Sequence, residues 1–179
     1  MKRSILLLLI LLGSYFQNFS QTRKTNFGFE IGTLQGVSNN KFTNQFNAVR
    51  VKLSGYRMTN TKYGFGISIG TDAYQRSNYS FDFYNTLPFN LNGIYFFKPS
   101  QKGFFTNVHI GYAVKLFDNF EKGFNSGINL GYGFGIGGKT RLNIKTGYNY
   151  QSIHNGKFSN SAYNDLKLHS IPLTVGLSF

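Results

Sequence analysis

Eight ionisable side chains along the chain could do chemistry together: Glu30, Arg50, Lys52, Asp72, His109, Lys115, Arg141 and Lys145. Acids set among a larger number of bases suit either of two tasks. In a dry interior they must satisfy one another as an ion-pair network, because an unpaired buried charge is expensive. Along an open bore they line a path for a solute or a proton. Nucleophilic chemistry asks instead for a serine within hydrogen-bond reach of a histidine. The histidines are His109, His154 and His169. Ser170 adjoins His169, but neighbours on a strand point to opposite faces. Ser152 precedes His154 in a polar loop, and His109 has no serine on its own face of its strand, so no convincing dyad results. Cysteine is absent, which excludes thiolate and disulfide chemistry, and the histidines are too dispersed for a metal cluster. The Gly-x-Gly repeats at 131–135 lie inside a strand pattern and not ahead of a helix, so they imply no phosphate-binding loop and no cofactor.

The elements that must position these residues alternate with period two. Strands are expected at about 26–34, 46–57, 63–74, 85–97, 104–116, 125–136, 140–151 and 168–179. Ile128, Leu130, Tyr132, Phe134 and Ile136 alternate with Asn129, Gly131, Gly133 and Gly135. Ile171, Leu173, Val175, Leu177 and Phe179 alternate with Pro172, Thr174, Gly176 and Ser178. All eight candidate residues fall on the polar face. Glu30, Lys52, His109 and Lys145 come out at similar heights, with Glu30 the one acid there and therefore the expected hub, paired with Arg50 or Lys52. In the fourth stretch Ile94 and Phe96 break the polar face. Either a bulge at Gly93 flips the register, or that end of the interior is packed with apolar side chains. Pro88 in the same stretch removes a ladder donor.

Connections between the strands alternate long and short, and the longest runs from Ser152 to Asp165. Eight strands with this alternation put both termini and every short turn at one end. Ahead of them, Lys2 and Arg3 precede an apolar run from Ile5 to Leu12. That run is too short for a spanning helix of about 20 residues and reads as a secretory signal peptide, cleaved after Ser20. Residues 21–179 then form one domain. A formal charge of +13 could mean nucleic acid, but the basic residues are scattered and an exported chain seldom meets it. An anionic lipid surface is the more natural neighbour.

Alternation alone does not say which face meets water. A soluble, lipocalin-like ligand-binding barrel points its apolar face inward; a membrane barrel points it outward. The polar face is rich in glycine (Gly64, Gly66, Gly70, Gly131, Gly133), where a water-facing sheet would carry Lys, Glu, Thr and Gln. The apolar face carries a single charge, Arg57, at a strand end. Tyr63, Tyr95, Phe97, Phe104, Phe134, Tyr148 and Tyr150 fall near strand ends, where interfacial aromatic girdles belong. The pattern therefore predicts an all-β, eight-stranded antiparallel up-and-down transmembrane β-barrel.

The closing strand adds a resemblance. Leu173, Val175 and Leu177 leading to Phe179 resemble the last strand of small Gram-negative outer-membrane β-barrel proteins, the OmpA/OmpX-like eight-stranded domain common in Bacteroidetes. The resemblance implies an outer-membrane location, a monomer and a last strand read by the barrel-assembly machinery. It also implies outer-membrane lipid and lipopolysaccharide as neighbours. With the inward ionisable set filling a narrow interior, the expected role is structural, adhesive or that of a narrow solute path, around a polar, plugged lumen. A lipid-A-modifying enzyme is the alternative from another class.

Overall fold

Alternation becomes strand over nearly all of these stretches. The computed structural model describes residues 25–37, 46–76, 83–116, 120–137, 140–154 and 165–179. Its strands are β1 (Thr25–Gly36), β2 (Phe46–Met58), β3 (Tyr63–Arg76), β4 (Phe83–Thr86), β5 (Pro88–Phe96), β6 (Gly103–Ala113), β7 (Phe120–Glu121), β8 (Gly123–Gly137), β9 (Thr140–His154) and β10 (Asp165–Ser178). The expected signal peptide, Met1 to Ser20, lies outside the described residues, as do parts of the long connections.

The staves β1, β2, β3, β5, β6, β8, β9 and β10 pair antiparallel in sequence order, and β1 closes on β10 through the register Phe29↔Leu177 and Ile31↔Val175. The result is a closed eight-stranded barrel. Following paired residues round the ring leads from Asn26 through Tyr56, Gly66, Asn92, His109, Gly127, Asn149 and Ser170 to Gly36, ten residues further along β1. That stagger tilts the strands and leaves an interior just wide enough for side chains to fill.

Pro88 splits the fourth stave without shifting it. β4 and β5 both pair with β3 in one continuous register, Asp72↔Thr86 and Ile69↔Phe89, with the β3 ladder interrupted at Leu87 and Pro88 because the proline has no N–H to give, while the Leu87 carbonyl accepts from Val114 N–H at 3.1 Å. At the rim away from the termini the ring also narrows. β6 stops at Ala113, and β7 pairs directly and in parallel with β4, Asn85↔Phe120 and Thr86↔Glu121. At the other end the turns are tight. Asn60 Oδ1 accepts from the backbone N–H groups of Lys62 (2.8 Å) and Tyr63 (2.7 Å), an Asx-type turn. In the next turn Gln101 adopts φ 57°, the left-handed region a side chain rarely enters.

The surface is the inverse of a water-soluble domain. Ile67 and Leu91, on the outward face in mid-strand, are each 66% exposed, whereas Asp72, Asn125, Asn149 and Gln151 inside are 0% exposed. Tyr63, Tyr95 and Phe97 stack near the end that carries the termini, as do Phe104, Tyr132 and Phe134. Phe124, Tyr148 and Tyr150 sit together toward the opposite end, on the adjacent strands β8 and β9. An apolar band between two aromatic girdles is the exterior a bilayer requires.

Candidate functional site in the barrel interior

Long side chains fit inside because glycine stands across from them. Glu30 faces Gly176, Lys52 faces Gly70, Arg50 faces Gly32, Lys145 faces Gly131 and His109 faces Gly127. A methyl at Gly176 would come within 2.8 Å of Glu30 Cγ, and one at Gly131 within 2.8 Å of Lys145 Cγ. Glycine on the polar face is thus a steric device that lets charged chains cross the axis.

Among the described residues, ion pairs gather in mid-barrel around two acids, Asp72 and Glu30. Arg50 grips Asp72 with both prongs, Nε to Oδ1 and Nη2 to Oδ2, each at 2.6 Å. This fork-to-fork geometry is the strong form of the interaction. Arg50 Nη2 also donates to Asn149 Oδ1 at 3.2 Å. The same oxygen lies 3.2 Å from His109 Nε2. An amide oxygen only accepts, so His109 carries a proton on Nε2. Lys145 Nζ meets Glu30 Oε2 at 2.5 Å, and Lys52 Nζ lies 4.0 Å from that oxygen. All the members are buried, and the asparagines Asn90, Asn92, Asn107, Asn125 and Asn129 fill the space around them.

Apolar side chains bracket this layer. Toward the loop end, Leu34, Ala48, Tyr74, Ile153 and Leu168 form an inward cluster. Toward the end carrying the termini, Met58, Phe96 and Phe105 pack with Ile94. Arg141 lays its guanidinium 4.8 Å from the Phe96 ring centroid and donates to the Gln101 carbonyl at 2.9 Å. Asn26 reaches the Gln101 side chain from β1 at 3.2 Å, so the turn is tied beneath the barrel from two sides. A cavity of about 30 Å³, lined among others by Ser54, Tyr56, Asn107 and Asn143, separates the ionic layer from this floor.

The structure corrects several expectations. Glu30 is not the hub of a single network. Of its two expected partners Lys52 does pair with it, at 4.0 Å, but its shorter contact is Lys145, across the closing strand, and Arg50 belongs to Asp72. The pleat explains it: Arg50 registers with Asp72 on β3 and with Gly32, not Glu30, on β1. His109 joins the Arg50 group through Asn149. Arg141 stands apart at the floor. Lys115 is not interior at all; it lies past the end of β6 and is exposed. Of the two readings for Ile94 and Phe96, apolar filling is the observed one, and the register through Gly93 is unbroken. Asn149, Gln101 and the outer apolar cluster were not singled out from the sequence. The inward parity of Ile153 and Leu168 with Gln151 and Ser170 is the signal that could have found that cluster.

No family model matches the chain, and no curated protein matches it. Among solved structures it is similar to Neisserial surface protein A (NspA), with 11% identity, 88% of this chain and 98% of that one covered, and a TM-score of 0.57. It also matches the outer membrane protein OprG from Pseudomonas aeruginosa, with 11% identity, 87% and 95% covered, and a TM-score of 0.47. At such identity the likeness to Neisserial surface protein A is one of fold, and it joins the apolar exterior, the aromatic side chains near the strand ends and the closed ring in one conclusion. The fold is that of a small eight-stranded outer-membrane β-barrel, and the outer membrane is where a surface of this kind belongs.

Proposed function

We propose that the protein is an integral, monomeric outer-membrane barrel with a plugged lumen, acting through its outer surface and loops in a structural or adhesive role. The carrying observation is the paired ionic layer, Arg50–Asp72 and Glu30–Lys145, held between two apolar clusters. Such an interior favours rigidity over transport, because a passing solute would have to part the ion pairs and cross both apolar layers. A non-enzymatic role fits the histidine environments. His109 Nε2 is engaged by Asn149, and His169 by the Tyr148 hydroxyl. β10, with Leu173, Val175, Leu177 and Phe179, is proposed as the strand that the assembly machinery engages.

Planar-bilayer recording tests the plug. The expected result is no steady conductance, with any residual current favouring anions because the interior carries more cationic than anionic groups. Large, regular, porin-like steps would move the assignment to a diffusion pore. Lipid A from cells with and without the protein is expected to be identical; a change in its acylation would make the protein an enzyme.

A further inference from the structure

The barrel interior is not electrically neutral. Among the described residues four buried cations, Arg50, Lys52, Arg141 and Lys145, stand against two buried acids, Glu30 and Asp72. Asp72 is taken by Arg50, and Glu30 is shared by Lys145 and Lys52. Arg141 has no anionic partner among the described residues. Its Nε donates to Ser178 Oγ at 3.2 Å, and its Nη1 donates to the backbone and side-chain oxygens of Gln101 at 2.9 and 3.2 Å. Nor can an acidic side chain arrive from the end that carries the termini. Of the six acids in the chain, Asp82, Asp118, Glu121 and Asp165 fall in or beside the long connections, and residues 1–24 and 138–139 contain none. A guanidinium taken out of water without a counter-charge is expensive.

The cavity between the ionic layer and the floor answers this imbalance. Arg141 and Lys145 line it, together with three hydroxyl groups that have a proton to give. Ser54 Oγ is buried and has no hydrogen-bond partner among the described residues. Tyr56 Oη accepts from Asn107 Nδ2 at 3.0 Å and keeps its own proton. Ser178 Oγ accepts from Arg141 Nε at 3.2 Å and from Asn143 Nδ2 at 2.9 Å, and keeps its own as well. Two cations and three hydroxyl donors around one space suit an anion. A volume of about 30 Å³ holds about two water-sized bodies, which excludes sugars and organic acids. We propose that this cavity binds one halide ion, chloride under physiological conditions, between Arg141 and the hydroxyls of Ser54, Tyr56 and Ser178, with a water beside it. Asn107 Oδ1, buried without a partner on the same wall, accepts from that water. Glu30 also lines the cavity, but its charge is met by Lys145 at 2.5 Å. The halide is then a counter-charge built into the plug, on the side the acids of the chain do not reach.

The full chain, refolded in detergent, is unfolded by urea in sodium chloride, sodium bromide and sodium gluconate at equal ionic strength; gluconate is too large for the cavity. Chloride and bromide are expected to lower the unfolding equilibrium constant about tenfold relative to gluconate, the shift given by a ligand present at about ten times its Kd. Arg141→Gln should bring the three salts to within about twofold, and Ser54→Ala should reduce the halide preference to about threefold. Lys98→Gln, which removes an exposed cation outside the cavity, should keep the tenfold shift. Crystals grown in bromide should show its anomalous signal within hydrogen-bond reach of Arg141 and Ser54. Equal unfolding constants in chloride and gluconate for the unmutated protein overturn the proposal. A bromide-grown crystal without that signal overturns it as well, and neither result needs a variant to fold. So does an Arg141→Gln variant that keeps the full shift, or a Lys98→Gln variant that loses it.

Discussion

Replacing Glu30 by Gln removes one acid and leaves two buried ammonium groups without it. Lys145 loses its 2.5 Å partner, and Lys52 loses the carboxylate at 4.0 Å. Both lysines are at most 5% exposed, so water offers them little compensation. Removing one partner of a buried pair costs about 3–5 kcal/mol, and two orphaned cations place this variant at about the upper end of that range. Lys145→Met removes the shorter partner but leaves Glu30 beside Lys52, and should cost about 3 kcal/mol. Combining the two removes both members of the pair, so the double variant should be more stable than the sum of the single losses predicts, by about 1–3 kcal/mol. Urea unfolding in liposomes, followed by tyrosine fluorescence or heat-modifiable mobility, measures all three. A Glu30→Gln loss below about 1 kcal/mol, or strict additivity, would refute the reasoning and mean that the interior is wet enough to screen these charges.

Leu130 faces outward in mid-strand at 49% exposure, so Leu130→Arg should cost about 2–4 kcal/mol, while Leu130→Ile, which keeps the surface apolar, should cost under about 1 kcal/mol; the same urea titration compares them. A methyl at Gly127 would sit 2.6 Å from the Tyr148 carbonyl oxygen and 2.5 Å from His109 Cε1. Gly127→Ala should therefore lose about 1–3 kcal/mol in that assay, and His109→Ala in the same chain should restore part of it. Deleting Phe179 removes two backbone hydrogen bonds to Phe27, at 2.9 and 3.0 Å, as well as the proposed recognition residue. The expected outcome is unassembled periplasmic protein on a heat-modifiability gel.

Most of the architecture was legible because period two is a local property. Each of the stretches from 128–136 and 171–179 carries its own face assignment, and a residue's face follows from parity alone. Strand ends were less legible. Ile153 and Leu168 stand next to polar loop residues, so composition placed a loop where the ladder continues to His154 and restarts at Asp165. Partner choice was less legible again. Whether Glu30 meets Arg50, Lys52 or Lys145 depends on the ten-residue stagger of the closed ring, which no single strand contains. Lys115 shows the same limit: its parity was right for the interior, but β6 ends before it because β7 takes the neighbouring position on β4.

The short contact of Glu30 crosses the seam where the first and last strands meet. In the β1–β2 hairpin Glu30 already registers with Lys52, whereas Lys145 comes within reach only when β10, with β9 behind it, docks on β1. The ion pair is therefore a latch that only ring closure can set. Before closure, Lys145 would face the bilayer without its acid, at a cost of several kcal/mol. An open sheet is thus penalised for entering lipid early, and its charges favour holding it at the aqueous boundary until the last strand arrives. The pair that steadies the finished interior is thus complete only in the closed ring.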